Sequence, residues 1–305
     1  MWTRHVRARG LVVLAASAAF GLAPFAGAAS ASTSPPQVTV RIQGPILRVA
    51  GGAALLVRAT VKCPKGYAVP EDASTGIAVT QTINPTRYEQ SGDGFLFPAG
   101  IYCTGSPQVT TIPLYPPLTQ SGVATDLPPL PWSLNRASGT ADVTACDPTS
   151  NCLSAHDERI VSVRDATAAE ESAGNHLPGT TITALPSVTR LAAGVQAKVH
   201  FQYKCTSGLP GGVFFETWLA QKTGSRPTIV NSPSFISTSP PAQCDGKVHQ
   251  AATIVSPGTP RPWATGATFV MAAAIYCVDS GFGPQTCSAS SSWRMGHLDN
   301  PSKSR

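Results

Sequence analysis

The chain has 305 residues, of which 42% are hydrophobic, 12% charged and 7% aromatic. Its mean hydropathy is +0.03. That length predicts about two domains, and the low charge with ample apolar content excludes an intrinsically disordered chain or a coiled coil. The net charge of +6 falls to about +3 once Arg4, Arg7 and Arg9 are assigned to a removable leader. No run of five basic residues exists, so nucleic acid is excluded as a partner.

In chain order, Met1 to Gly10 is basic, Leu11 to Ala23 is apolar, and Pro24 to Ala31 is rich in Ala and Gly. This three-part layout predicts a signal peptide over 1–31, a short linker over 32–36 and a mature chain starting at Ser32. The apolar run is about 13 residues against roughly 20 for a bilayer span, so no stable membrane insertion is expected after cleavage. The first cysteine is Cys63, too late for a lipidated N-terminus. The stretch Leu177-Pro178-Gly179-Thr180 is followed by Thr181 rather than the Gly of a sortase signal. The expected location is therefore secreted and extracellular.

The mature chain carries an internal repeat. Ile46 to Gly52 aligns with Val188 to Gly194, and the same offset of 142 places Lys62-Cys63 on Lys204-Cys205; Pro131-Trp132 matches Pro262-Trp263. The repeat predicts module 1 over 37–165, a linker over 166–180, module 2 over 181–296 and a polar tail over 297–305. Leu55, Val57, Ala59 and Val61 alternate with Leu56, Arg58, Thr60 and Lys62, as Ala197 to Tyr203 alternate with Lys198 to Lys204, which predicts strands with one buried and one wet face. Ile77 to Ile83, Val213 to Ala220, Val248 to Val255 and Ala267 to Tyr276 are further strands. Pro107 to Pro131, with seven prolines, reads as a surface loop or a sheet edge. Asp165 to Asn175 reads as a linker with one helical turn. The expected fold class is all-β: two tandem immunoglobulin-like antiparallel β-sandwich modules, each with two disulfides.

Eight cysteines in an exported chain predict four disulfides, out of 105 possible connectivities. Repetition of one plan makes within-module pairing the simplest: Cys63 with Cys103, Cys146 with Cys152, Cys205 with Cys244, and Cys277 with Cys287. The tight hairpin Cys146-Asp147-Pro148-Thr149-Ser150-Asn151-Cys152-Leu153 resembles the immunoglobulin-like secreted proteins of actinomycetes, and more distantly the neocarzinostatin-type apoproteins that carry enediyne chromophores. The resemblance implies two disulfides per sandwich and a carrier of an apolar small molecule. It departs at Cys63 and Cys103, which close a long loop where that family has a short one, and no binding residue carries over.

Chemistry is sparse. The chain has no G-x-S-x-G, H-E-x-x-H or P-loop motif, so no catalytic residue is assigned. Asp245 and His249 form the best dyad, but four residues of strand separate Cα atoms by about 13 Å and contact requires a turn at Gly246. Cys146, Cys152 and His156 suggest zinc, against which oxidising export favours a disulfide; no metal and no cofactor is expected. Glu170 and Glu171 read as solubilising charges on the linker. Trp132 and Trp263 repeat in position; each either plugs the end of its core or offers an exposed aromatic for ligand binding. The expectation is a non-enzymatic extracellular protein with a binding or structural role and an extracellular protein or small molecule as partner. A carrier and a hydrolase with a cryptic site are the alternatives.

Overall fold

The computed structural model describes residues 35–70, 75–84, 88–95, 101, 103–114, 130–207, 209, 212–224, 228–232, 242–258, 261–278 and 286–301. The expected leader over 1–31 lies outside them. Pro36–Arg305 forms one compact unit. The described residues contain no α-helix. The first-half strands are β1 (Thr39–Val49), β2 (Ala54–Lys62), β3 (Gly76–Asn84), β4 (Tyr88–Phe95), β5 (Gln108–Leu114), β6 (Ala137–Cys146), β7 (Cys152–Val161) and β8 (Val163–Asp165). The second half contributes β9 (Ala173–Asn175), β10 (Thr180–Leu191), β11 (Gln196–Cys205), β12 (Phe214–Thr223), β13 (Thr228–Asn231), β14 (Val248–Val255), β15 (Gly266–Val278) and β16 (Thr286–Asp299).

Strand order explains how these pieces layer. In the first half β5-β2-β1-β8 forms one sheet and β4-β3-β6-β7 another. Val57, Ala59 and Val61 of the first sheet meet Ile77, Val79, Ala141 and Val143 of the second in one core. In the second half β13-β12-β15-β16-β10-β11-β14 is continuous, because the end of β16, still paired with β15 through Leu298, also runs parallel to β10 over His297–Asp299. The β10-β11-β14 portion folds back so that Val199, Phe201 and Val255 pack on Phe215, Leu219, Val270 and Ala272.

A third core joins the halves. Leu47, Val49, Ala54 and Leu56, on the outer face of β1 and β2, pack with Ala220, Ile229, Phe269, Met271, Ala273, Ile275 and Trp293. Leu56 is 1% exposed, so the expected wet face of β2 is wet only from Arg58 onward. β15 is buried on both sides, Val270, Ala272 and Ala274 facing one core and Phe269, Met271, Ala273 and Ile275 the other. Its unbroken apolar run is the pattern of a strand covered on both faces.

Boundaries shift where packing demands it. β16 continues to Asp299 with Leu298 fully buried, so the polar tail starts later than 297. The 166–180 segment is ordered: a single turn over 167–171 is followed by β9, which pairs with Ser291 to Trp293 of β16. Within the proline-rich stretch, β5 is the sheet edge and accommodates Pro113, where a missing N–H costs no ladder bond. Residues 115–129 of that stretch lie outside the described residues.

Candidate functional site

Trp132 and Trp263 are 1% and 0% exposed, each inside its own half's core. Neither ring offers an exposed platform, and each indole Nε1 is buried with no hydrogen-bond partner among the described residues. What holds them explains why their positions repeat. The backbone N–H of Trp132 donates to the Gly52 carbonyl at 2.9 Å, and that of Trp263 to the Gly194 carbonyl at 2.8 Å. Both glycines have left-handed φ, +97° and +95°, and a Cβ there would lie 2.6 Å and 2.3 Å from the Trp carbonyl oxygens. Only glycine fits such a close approach. Behind each ring a buried Gln sews the chain down. The Gln81 side chain donates to the Ser133 and Asn135 carbonyls and accepts from Ser133 N–H. Gln221 does the same with Ala264 and Ala267.

Three disulfides are formed, Cys63–Cys103, Cys146–Cys152 and Cys205–Cys244. Cys277 is also disulfide-bonded, and the ladder places Cys287 directly opposite it. The zinc reading of Cys146, Cys152 and His156 fails because both thiols are consumed; His156 Nδ1 instead meets Asp142 at 2.8 Å across β6 and β7. That bond raises the imidazole pKa. Inside the loop, Asp147 accepts from Thr149 and Asn151 side chains and backbone N–H groups, which lowers its pKa, the Thr149 hydroxyl leading. The described residues contain no group of three His, Cys, Asp or Glu able to hold a metal ion.

Asp245 and His249 do meet. Gly246 takes φ +79° and turns the chain, so Asp245 Oδ1 lies 2.8 Å from His249 Nε2, and His249 stacks on Tyr203 at 5.5 Å. The imidazole contact is the main cause of the lowered Asp245 pKa. The first half shows what the pair is for. There Gly105 has φ +84°, Thr104 Oγ1 accepts from Ser106 N–H and from Gln108 Nε2, and Gly105 N–H donates to the Cys63 carbonyl. In the second half Asp245 accepts from Lys247 N–H, and Gly246 N–H donates to the Cys205 carbonyl. One turn beside one disulfide is stapled by Thr and Gln in one half and by Asp and His in the other.

The reading of Glu170 as a free linker charge is corrected. Its carboxylate takes two bonds from Arg164 at 2.8 and 2.7 Å, accepts from Thr167 N–H at 2.9 Å and lies 3.6 Å from Arg58. The Arg164 fork, helped by Thr167, pulls its pKa down to about 2. Thr167 Oγ1 accepts from Glu170 N–H in return, the reciprocal pattern of a capping box. The Glu170 carbonyl accepts from Trp293 Nε1 of the other half at 3.2 Å. Burial raises the pKa of the neighbouring Glu171.

No protein-family model and no curated protein matches the chain. Among solved structures it is similar to MtrC from Shewanella baltica OS185 over 86% of this chain and 70% of that one, at 6% identity and a TM-score of 0.22. It is also similar to a structure described under host cell surface retention of a 1.5-MDa bacterial ice-binding adhesin, over 86% of this chain and 64% of that one, at 16% identity and a TM-score of 0.18. At such scores neither likeness carries an argument. Among the described residues there is no helix long and apolar enough to cross a membrane.

Proposed function

We propose that this chain is exported and acts outside the cell as a non-enzymatic binding or structural unit, built from two immunoglobulin-like sandwiches that arose by duplication. The observation that carries the reading is that non-ladder hydrogen bonds recur at matching positions. Besides the Gly–Trp, Gln and turn bonds, Ile42 N–H donates to Asp157 Oδ2 on β7 and Ala184 N–H donates to Ser292 Oγ on β16. Counting β1 and β10 as first strands, in each half the first, second and fifth strands face the third, fourth, sixth and seventh; this is the two-layer plan of an immunoglobulin-like sandwich with the fourth strand moved to the sheet of the third, sixth and seventh. Disulfides are rare outside oxidising compartments, which supports export.

The Asp245–His249 pair supports a non-enzymatic role, because the first half reproduces its geometry with Thr104 and Gln108, which are unable to act as acid and base. The rigid, staple-rich frame suits presentation of surfaces, and the buried tryptophans favour a framework over a carrier. Native mass spectrometry of protein recovered from culture medium tests the proposal. A mature chain beginning near Ser32 with all eight cysteines oxidised is expected, together with any partner it retains. A chain keeping Met1 in the membrane fraction, or free thiols, contradicts export as described.

A further inference from the structure

The apolar face between the halves occurs once. Trp132 to Trp263 and Cys146 to Cys277 are both 131 residues apart, so Phe269, Met271, Ala273 and Ile275 of β15 correspond to Ser138, Thr140, Asp142 and Thr144 of β6. On the other side Leu47, Val49, Ala54 and Leu56 correspond, at an offset of 142, to Thr189, Leu191, Gln196 and Lys198. Seven of these eight counterparts are neither strongly apolar nor buried. Another molecule therefore offers the β15 face one complementary surface among the described residues, its own Leu47–Leu56 face.

What ties each second half to its own first half is the strap 166–175. Glu170 binds Arg164 and Arg58 of the first half and, through its carbonyl, Trp293 of the second. Asn175 bonds both the Thr111 backbone on the β5 edge and Ser291 Oγ on β16. These contacts are made together only while both halves are closed around the same strap. Stretched out, the residues between Asp165 and Thr180 span on the order of 45 Å, enough to reach a neighbouring copy. Closed and exchanged forms share one interface, so the hinge decides between them.

We propose that the strap holds the chain as a closed monomer, and that once it is released the β15 face takes the first half of a second copy, giving a reciprocal domain-swapped dimer. The test uses the full mature chain with Glu170→Gln and Asn175→Ala, refolded with disulfides intact over a range of concentrations and weighed by size-exclusion light scattering. Wild type is expected to be monomeric, and the double variant to raise the dimer fraction at least fivefold. Adding Leu56→Asp, which buries a charge in the contact that closed and exchanged forms share, should break both and leave open monomers of larger hydrodynamic radius in place of the dimer. Arg58→Met, which leaves the Thr167–Glu170 turn in place, must move the dimer fraction in the same direction and guards against simple misfolding. A dimer fraction unchanged in both strap variants, or dimers that survive Leu56→Asp, overturns the proposal.

Discussion

Replacing Phe269 with Ala separates two halves that merely adjoin from two that share a core. The ring is 0% exposed, yet it lies on the face of β15 turned away from its own half's core and toward Leu47 and Leu56. Truncating a fully buried Phe costs about 3–5 kcal/mol. For a chain of this size each kcal/mol moves Tm by roughly 2–4 °C, so a drop on the order of 10 °C is expected. Were the halves independent, the same side chain would sit on a solvated sheet face and its loss would cost about 0.5 kcal/mol or less. Calorimetry on the oxidised mature chain reads the difference, with Leu56→Ala from the first half as the second arm of a double-mutant cycle. Non-additivity of about 0.5 kcal/mol or more is expected for residues sharing a core. Two resolved transitions, Phe269→Ala shifting one and Leu56→Ala the other with full additivity, would refute the shared core.

Glu170→Gln should destabilise by about 1–2 kcal/mol at neutral pH. The shift from 4.5 to about 2 gives roughly 3 kcal/mol by linkage, discounted because a quarter of the side chain stays in water. A depressed carboxylate stabilises above its unfolded value, so the wild-type advantage should hold above pH 4.5 and fade toward pH 2 in parallel unfolding curves. Removing Cys63–Cys103 or Cys205–Cys244, with separations of 40 and 39 residues, should cost about 4 kcal/mol each, against about 2 for Cys146–Cys152 with a separation of 6; denaturant titration of paired Cys→Ser variants gives the order. His249→Gln should change stability by less than about 1 kcal/mol, since Gln108 fills that role in the first half. A loss above 2 kcal/mol in that variant would mean the imidazole does more than staple the turn.

Much of the fold could be read from alternation and spacing. β2, β11, β14 and the within-half disulfides follow from period-two burial and from cysteines at repeated offsets. The junction was harder to see because Leu47 and Leu56 sit among alternating residues, so their burial depends on what covers them and not on local pattern. The uninterrupted run Phe269 to Ile275 was the available signal, since a strand with one wet face does not read that way. Thr167-Ala168-Ala169-Glu170 likewise spells a capping box, but its partners Arg58 and Trp293 lie more than a hundred residues away in sequence. Gln81 and Gln221 look like wet-face residues and are 1% and 2% exposed, because they satisfy the backbone beside each Trp. For Asp245 and His249, strand spacing alone keeps the side chains apart; the turn at Gly246 brings them together.

Methionine oxidation tests the joined core most directly. Met271 is 3% exposed because the first half covers it, while Met295 is only partly buried at the margin of that core. Brief treatment of the folded mature protein with dilute peroxide, followed by peptide mass analysis, should oxidise Met295 well before Met271, and denaturation should make their rates equal. Met271 oxidising as fast as Met295 in the native protein would show the β15 face open to solvent and contradict the packing of the two halves.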